Sequence, residues 1–174
     1  MRVLIINGAP RSGKDTFIEL LSETGAEVWP YSSIDWVKSK AELLGWDGNK
    51  DAVGRKFLSD IKDACTEYRD IPFQQVIKKL NRALQMSIDY FCVNIREPSE
   101  IKKLVSYCDG VNIPCYTIRI QNTKAEEAAT GLDYTGDSQY MDFDYDFTIP
   151  NNSTIGHFRN VIDGLETSIN AGAA

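Results

Sequence analysis

The chain opens Arg2-Val3-Leu4-Ile5-Ile6-Asn7-Gly8-Ala9-Pro10-Arg11-Ser12-Gly13-Lys14-Asp15-Thr16. The first half is a continuous apolar run, the pattern of a strand buried on both faces of a parallel sheet. From Lys14 onward apolar residues recur at Phe17, Leu20 and Leu21 and stop at Gly25, which predicts a helix and its C-terminal signal. Between the two, Gly8 to Thr16 carries the glycine and lysine spacing of a phosphate-binding loop. Glycines let successive backbone N–H groups converge on phosphate oxygens, and the helix start adds favourable partial charge. Lys14 then supplies a point charge for the β- and γ-phosphates. The competing reading, a glycine-rich turn capped by Asp15, is disfavoured by the strand and helix on either side. Asp15 stands where Ser or Thr usually holds Mg²⁺. A carboxylate is a good hard-oxygen ligand, so Asp15 is the expected metal contact, with Thr16 beside it as the other.

Working outward, Val28-Trp29-Pro30-Tyr31 reads as a short second strand, and Ser32-Ser33 offers an N-cap to a helix carrying Ile34, Val37, Ala41 and Leu44. A longer helix from about Asp51 places Val53, Phe57, Ile61, Ala64 and Tyr68 on one stripe, and Phe73, Val76, Ile77, Leu80 and Leu84 mark the next. Tyr90 to Ile95 is a third strand, followed by a helix from Pro98. Cys115 to Ile120 is a fourth. Phe143, Tyr145, Phe147 and Ile149 alternate with Asp142, Asp144, Asp146 and Thr148, as a fifth strand does, and a last helix carries Ile155, Phe158, Ile162, Leu165 and Ile169. Strand-to-helix alternation implies parallel strands joined by right-handed crossovers, with ligands gathering at the carboxyl ends. The expected organisation is one α/β domain over 1–174, with a helical insertion at about 34–87 and a lid-like segment at about 121–142.

The 174 residues include 19 Lys and Arg against 25 Asp and Glu, for a net charge of −6. Folding at this length hides roughly two-thirds of the unfolded chain's surface, so the core needs neither disulfide nor structural metal. The acid excess argues against nucleic-acid or anionic-membrane partners, and any anionic ligand must be met by a local cluster of cations. The longest early apolar run is far too short to span a membrane, and a cytoplasmic protein is expected. Cys65, Cys92, Cys108 and Cys115 form no C-x-x-C pair and read as reduced thiols. His157 has no second His to support metal or acid–base duty.

The Arg11 to Thr16 run resembles the loop of phage-type deoxynucleoside monophosphate kinases and of the related phosphomevalonate kinases. Similar, in order, are Ser32 to Lys38, Arg55-Lys56-Phe57-Leu58, Arg96-Glu97-Pro98-Ser99-Glu100 and Tyr145 to Asn151. The resemblance implies a three-layer P-loop fold of the nucleoside monophosphate kinase type, with a five-stranded parallel sheet and helices on both faces. It also implies an enzyme that transfers the γ-phosphoryl group of Mg·ATP to a nucleotide acceptor. ATP would be held by Gly8, Ala9, Arg11, Ser12, Gly13, Lys14, Asp15 and Thr16, with Asn151 near the adenine. Arg55 and Arg96 would bind acceptor phosphate, and Glu100 would fix Arg96 or touch the base.

Physical pattern adds weight unevenly. Arg55, Lys62 and Arg69 are spaced by sevens and share a helix face, which suits either an acceptor phosphate or a solvated surface paired with Asp60, Asp63 and Glu67. Asp35 and Lys38 lie one turn apart. In the resemblance this segment borders the acceptor, which implies Asp35 as a contact to Mg²⁺, the acceptor hydroxyls or the base, and its place equally suits a first-turn carboxylate matching the helix dipole. Asn94 stands where relatives carry an aspartate. Lys124 is the only cation between Gln121 and Asp146, which leaves Arg119 and Arg11 as candidates to stabilise a transferring phosphoryl group together with Lys14 and Arg96. A kinase of another phosphorylated metabolite, or a non-catalytic nucleotide-binding regulator, remains the alternative, and the sequence leaves a homodimer open.

Overall fold

The computed structural model describes residues 1–129 and 139–172. The strands are β1 (Arg2–Asn7), β2 (Val28–Ser32), β3 (Tyr90–Asn94), β4 (Cys115–Gln121) and β5 (Phe147–Pro150). They form one five-stranded sheet in the order β2-β3-β1-β4-β5, and β1 runs parallel to both β3 and β4. The helices are α1 (Lys14–Glu23), α2 (Asp35–Leu43), α3 (Ala52–Arg69), α4 (Ile71–Gln85), α5 (Pro98–Gly110), α6 (Thr123–Ala129) and α7 (Ile155–Ala171). The chain forms two compact units, one of residues 1–30 and 87–174 that holds most of the sheet, the other the helical segment 31–86.

In the sheet unit, β1 is central because both its faces are apolar. Leu4 and Ile6 join Cys92, Ile118 and Ile120 against Phe17 of α1 and Phe158 of α7, whose rings lie 6.5 Å apart. Val3 and Ile5, on the alternate face, are equally buried, and α5 closes against β4 with Ile101, Leu104 and Cys108 inward. Pro98 sits in the first turn of α5, as its sequence position predicts. Thr154 caps α7 by accepting a hydrogen bond from the His157 amide at 3.3 Å.

The fifth strand is shorter than the alternation suggests. Only Phe147 to Pro150 pair with β4. Just before them the Asp146 carboxylate accepts both the Thr117 amide and the Thr117 hydroxyl at 2.8 Å, so a side chain takes the place a strand neighbour's carbonyl would fill. The lid-like segment is described only at 121–129 and 139–142, and its centre lies outside the described residues.

In the helical unit, the buried face of α3 is Gly54 and Leu58, flanked by Phe57 and Ile61, which pack on Val37 and Ala41 of α2. Val53 is 78 % exposed and Tyr68 68 % exposed, so the expected stripe is rotated toward the Gly54 side. The cause is local. A side chain on Gly54 would run into the Asn49 carbonyl, and the Trp46 indole sits directly over that spot, donating its N–H to Asn49 at 2.9 Å. Glycine thus marks the helix's closest approach to a neighbour, a position that apolar periodicity ignores. Asp51 caps α3 through the Gly54 amide at 2.8 Å, whereas α2 has no side-chain cap at its N-cap, Ile34, contrary to the expectation for Ser33.

Phe158 is fully buried between sheet and α1, and Phe158→Ala should lower unfolding stability by about 3–5 kcal/mol in chemical denaturation.

Candidate functional site

The site is built where β1 ends. At Gly8 the backbone takes φ +140°, and any Cβ there would strike the Ile120 carbonyl on β4, so only glycine lets the chain leave the central strand at this point. Arg11 then adopts φ 64° and Gly13 φ 102°, and the Ser12 amide donates to Ala9 at 3.1 Å to close the turn. Residues in the left-handed region rotate successive N–H groups to one side, which shapes a concavity suited to an anion. The N-cap of α1 is Gly13, which has no side chain, and the helix's first amides therefore carry no side-chain cap.

Lys14 is held in the same concavity. Its Nζ donates to the Gly8 and Ala9 carbonyls at 2.8 Å each, placing the ammonium across the loop. Ser12 is fully buried, with an Oγ that makes no hydrogen bond. Asp15 is exposed in the first turn of α1, and Thr16 beside it is partly buried. Arg11 is exposed on the loop itself.

Two braces fix the loop. Asn151, at the end of β5, donates its side-chain amide to the Ser12 carbonyl at 2.8 Å, while its own amide donates to Gln121 at 2.7 Å. Its carbonyl accepts from the Asn122 side chain, so the residue expected near an adenine is tied to the protein through both backbone groups. On the other side, Asn7 Oδ1 accepts the Gly8 amide at 2.8 Å, and Asn7 Nδ2 donates to the Tyr145 hydroxyl at 2.8 Å and to the Arg96 carbonyl at 3.2 Å. The sequence reading missed Asn7 and the role of Tyr145. Their partners are 138 positions apart in sequence, and no periodicity announces such a pair.

Arg119 pairs in register with Asn7 across β1 and β4, which puts it beside the loop's first residue. Its guanidinium is committed to Glu126 of α6 at 2.7 Å and lies 5.5 Å from the Tyr140 ring centre. The ion pair is largely shielded, with side-chain exposures of 21 % and 14 %, and the Arg119 Nε is buried with no hydrogen-bond partner. Asn94 ends β3 in register with Ile6, and its Oδ1 is likewise buried and unpartnered. Arg96, two residues beyond, is exposed, while Glu100 pairs with Lys103 at 2.8 Å. Among the described residues no cluster of three or more His, Cys, Asp or Glu forms a metal cage.

In the helical unit, α3 continues unbroken through Arg69, so Arg55, Lys62 and Arg69 do share one side of one helix. With the buried face centred near Gly54 and Leu58, that side flanks the apolar contact. Arg55 donates through Nε to the Lys50 carbonyl at 2.8 Å, and Arg69 stacks on Tyr68 at 5.0 Å. Asp35 accepts the Ser32 amide and the Lys38 ammonium, each at 3.1 Å, and so ties the start of α2 to the end of β2.

No protein-family model matches the sequence, and a search of curated proteins finds no match. Solved structures do align over nearly the whole chain. A candidate kinase from Chloroflexus aurantiacus shares 12 % identity, covers 98 % of this chain and 97 % of its own, and has a TM-score of 0.56. Dephospho-CoA kinase from Campylobacter jejuni shares 15 %, covers 97 % of both chains and scores 0.50. The tunicamycin resistance protein of Deinococcus radiodurans shares 10 %, covers 95 % and 96 %, and scores 0.51. Likeness at such identity is likeness of fold: the chain has the three-layer α/β architecture found in P-loop kinases, a five-stranded parallel sheet with helices on both faces.

Burial pushes the Tyr145 hydroxyl up to about 12, against opposing pulls from the Asn7 hydrogen bond and Arg119. An unfolded tyrosine ionises near 10.0, so above that pH the unfolded state binds fewer protons than the native one and stability falls until about 12. Tyr145→Phe should remove this residue's share of the decline, seen as a shallower loss of unfolding free energy with rising alkaline pH.

Proposed function

We propose that the protein is an ATP-dependent phosphotransferase that moves the γ-phosphoryl group of Mg·ATP to a nucleoside monophosphate, a deoxynucleotide in its narrowest form. The observation that carries this reading is the loop from Gly8 to Gly13 at the uncapped start of α1, with the Lys14 ammonium drawn across it. Backbone amides of Ala9, Arg11 and Gly13 and the start of α1 at Lys14, Asp15 and Thr16 would cradle the triphosphate, while the Ser12 amide closes the turn beneath them. Lys14 and Arg11 would bear on the transferring group.

Phosphoryl transfer needs little covalent chemistry from a protein, and its rate comes from positioning and from charge stabilisation as negative charge shifts among the phosphate oxygens. The braces at Asn151 and Asn7 suit this. They hold the loop's donors in place before any ligand arrives, so no reorganisation is spent at the reacting step. Acceptor recognition in this reading falls to Arg96 and Glu100 in the sheet unit and to Asp35, Lys38, Arg55, Lys62 and Arg69 in the helical unit. Guanidinium groups on the acceptor phosphate offer paired donors that a phosphate accepts in bidentate fashion.

The residues present fit Mg²⁺. Asp15 offers an exposed carboxylate oxygen, and Asn94 a buried carbonyl oxygen without a protein partner, a sparse donor set that suits a metal held mostly by phosphates and water. Mg²⁺ would neutralise phosphate charge. Asp35, already engaged with Ser32 and Lys38, is the weaker metal contact. Among the described residues Arg119 is a shielded cation beside the loop, so the charge-poor segment after β4 need not leave the site without a guanidinium.

ADP release from Mg·ATP, measured with each common ribo- and deoxynucleoside monophosphate and with a phosphorylated non-nucleotide acceptor such as phosphomevalonate, tests the reading. Acceptor-dependent turnover is expected with one or more nucleotides. Lys14→Ala should reduce it by about a hundredfold or more. Turnover with the non-nucleotide acceptor alone moves the assignment to another metabolite kinase, and ATP binding with silence across the panel moves it to a nucleotide-sensing protein.

A further inference from the structure

β1 and β4 run side by side to the loop end of the sheet, where Asn7 pairs with Arg119. Paired residues of neighbouring strands project from the same face, so Arg119 stands on the face where Asn7 accepts the Gly8 amide and reaches Tyr145. The surroundings of its guanidinium are uneven. Nη2 donates to the Glu126 carboxylate at 2.7 Å, the Tyr140 ring centre lies 5.5 Å away, and Nε is buried without a hydrogen-bond partner. Tyr140 is 3 % exposed, so its ring is fixed by packing. Glu126 is placed differently. It lies on α6, which contributes no buried residue. That helix is held at its start, where Asn122 accepts the Ala125 amide at 3.0 Å and Asn152 accepts the Thr123 amide at 2.8 Å.

A guanidinium presents its donors along edges of a planar fork, and Nε with Nη2 forms one such edge. Glu126 engages this edge at Nη2 while Nε stays without a partner. A buried donor left unpaired costs free energy, so the ion pair leaves the edge half satisfied. A terminal phosphate group carries three oxygens and more negative charge than a carboxylate, and it can fill both positions at once. It does so only when Glu126 gives up Nη2. The two anions are rivals for one edge. While paired, Arg119 and Glu126 are neutral together and add no attraction for an anion in a chain of net charge −6. Once Glu126 turns to water, a full positive charge stands beside the start of the loop.

We propose that Glu126 is a positioning residue that holds Arg119 in reserve, and that a phosphate group bound at the loop takes the guanidinium from Glu126 by exchange while the Tyr140 ring keeps it in place. Resting on the reading of the loop as a polyphosphate site, this exchange makes ligand binding and capture of Arg119 one event. Breaking a shielded ion pair costs free energy each time a ligand binds, so Glu126 lowers the affinity for any polyphosphate. The freed carboxylate reaches solvent from a helix that holds no core residue. A pair that merely stapled α6 to β4 would act in the opposite direction, since its loss would loosen the site and weaken binding.

The test uses the whole protein, titrated in a calorimeter with Mg·ATP and, separately, with inorganic tripolyphosphate. Glu126→Gln keeps an oxygen that can accept from Nη2 but removes its charge. It should bind both ligands about tenfold more tightly, the scale of one charge-assisted hydrogen bond that no longer has to be given up. Removing a negative charge near the site would also tighten binding without any exchange, so Arg119 itself is followed. Its Nε–Hε resonance in nitrogen–proton correlation spectra, assigned by its absence from Arg119→Lys, should move downfield when tripolyphosphate is added and Nε gains an acceptor. Binding by Glu126→Gln equal to or weaker than that of the unaltered protein overturns the exchange. So does an Arg119 Nε signal that stays in place at saturation. Silence across the acceptor panel with both results intact rejects the phosphotransferase reading alone, whereas failure of the unaltered protein to bind either ligand overturns both.

Discussion

The structure depends on how the chain leaves its central strand. β1 is buried on both faces and bordered by parallel strands on both edges, so its exit must pass within contact distance of the β4 backbone at Ile120. Only a residue without a side chain fits there. Gly8 therefore settles the path of the next residues, and the left-handed turns at Arg11 and Gly13 then aim the amides of the loop inward and deliver the start of α1 to the same spot. The polar groups gathered at this end are a consequence of packing apolar strands to their limit.

Converging backbone N–H groups carry like partial charge, which favours an open loop. Asn7 and Asn151 counter this from opposite sides, one reaching the first loop residue and the other the Ser12 carbonyl. Each also ties the loop to chain far away, Asn7 to Tyr145 and Asn151 to Gln121. The segment just before β5 thus gives up strand pairing for side-chain bonds. Asp146 holds Thr117 and Tyr145 holds Asn7, and both bonds run toward β4 and β1.

Net acidity gives this arrangement its electrostatic logic. With a charge of −6 the protein has no general attraction for anions, so cations matter only where structure concentrates them. Lys14 is collected by two carbonyls, and Arg119 is shielded and paired with Glu126 beside the loop. The buried Nε of Arg119 and Oδ1 of Asn94, both without hydrogen-bond partners, lie on strands flanking β1 at the same end as the loop.

By itself the sequence determined the architecture and the loop, because both rest on local signals. A double-sided apolar run, a glycine exit and a helical period from Lys14 are each readable within a few residues, and their repetition along the chain implies a parallel sheet. Strand order, the rotation of α3 about Gly54, the shortening of β5 and the engagement of Asp35 with Ser32 were decided by tertiary structure. In each case the deciding contact is steric or hydrogen-bonded: Trp46 and Asn49 over Gly54, or a carboxylate of β5's approach on a strand amide of β4. The braces at Asn7 and Asn151 belong to the same class. Such pairs are set by which backbones fold against one another, and hydrophobic periodicity carries no record of them.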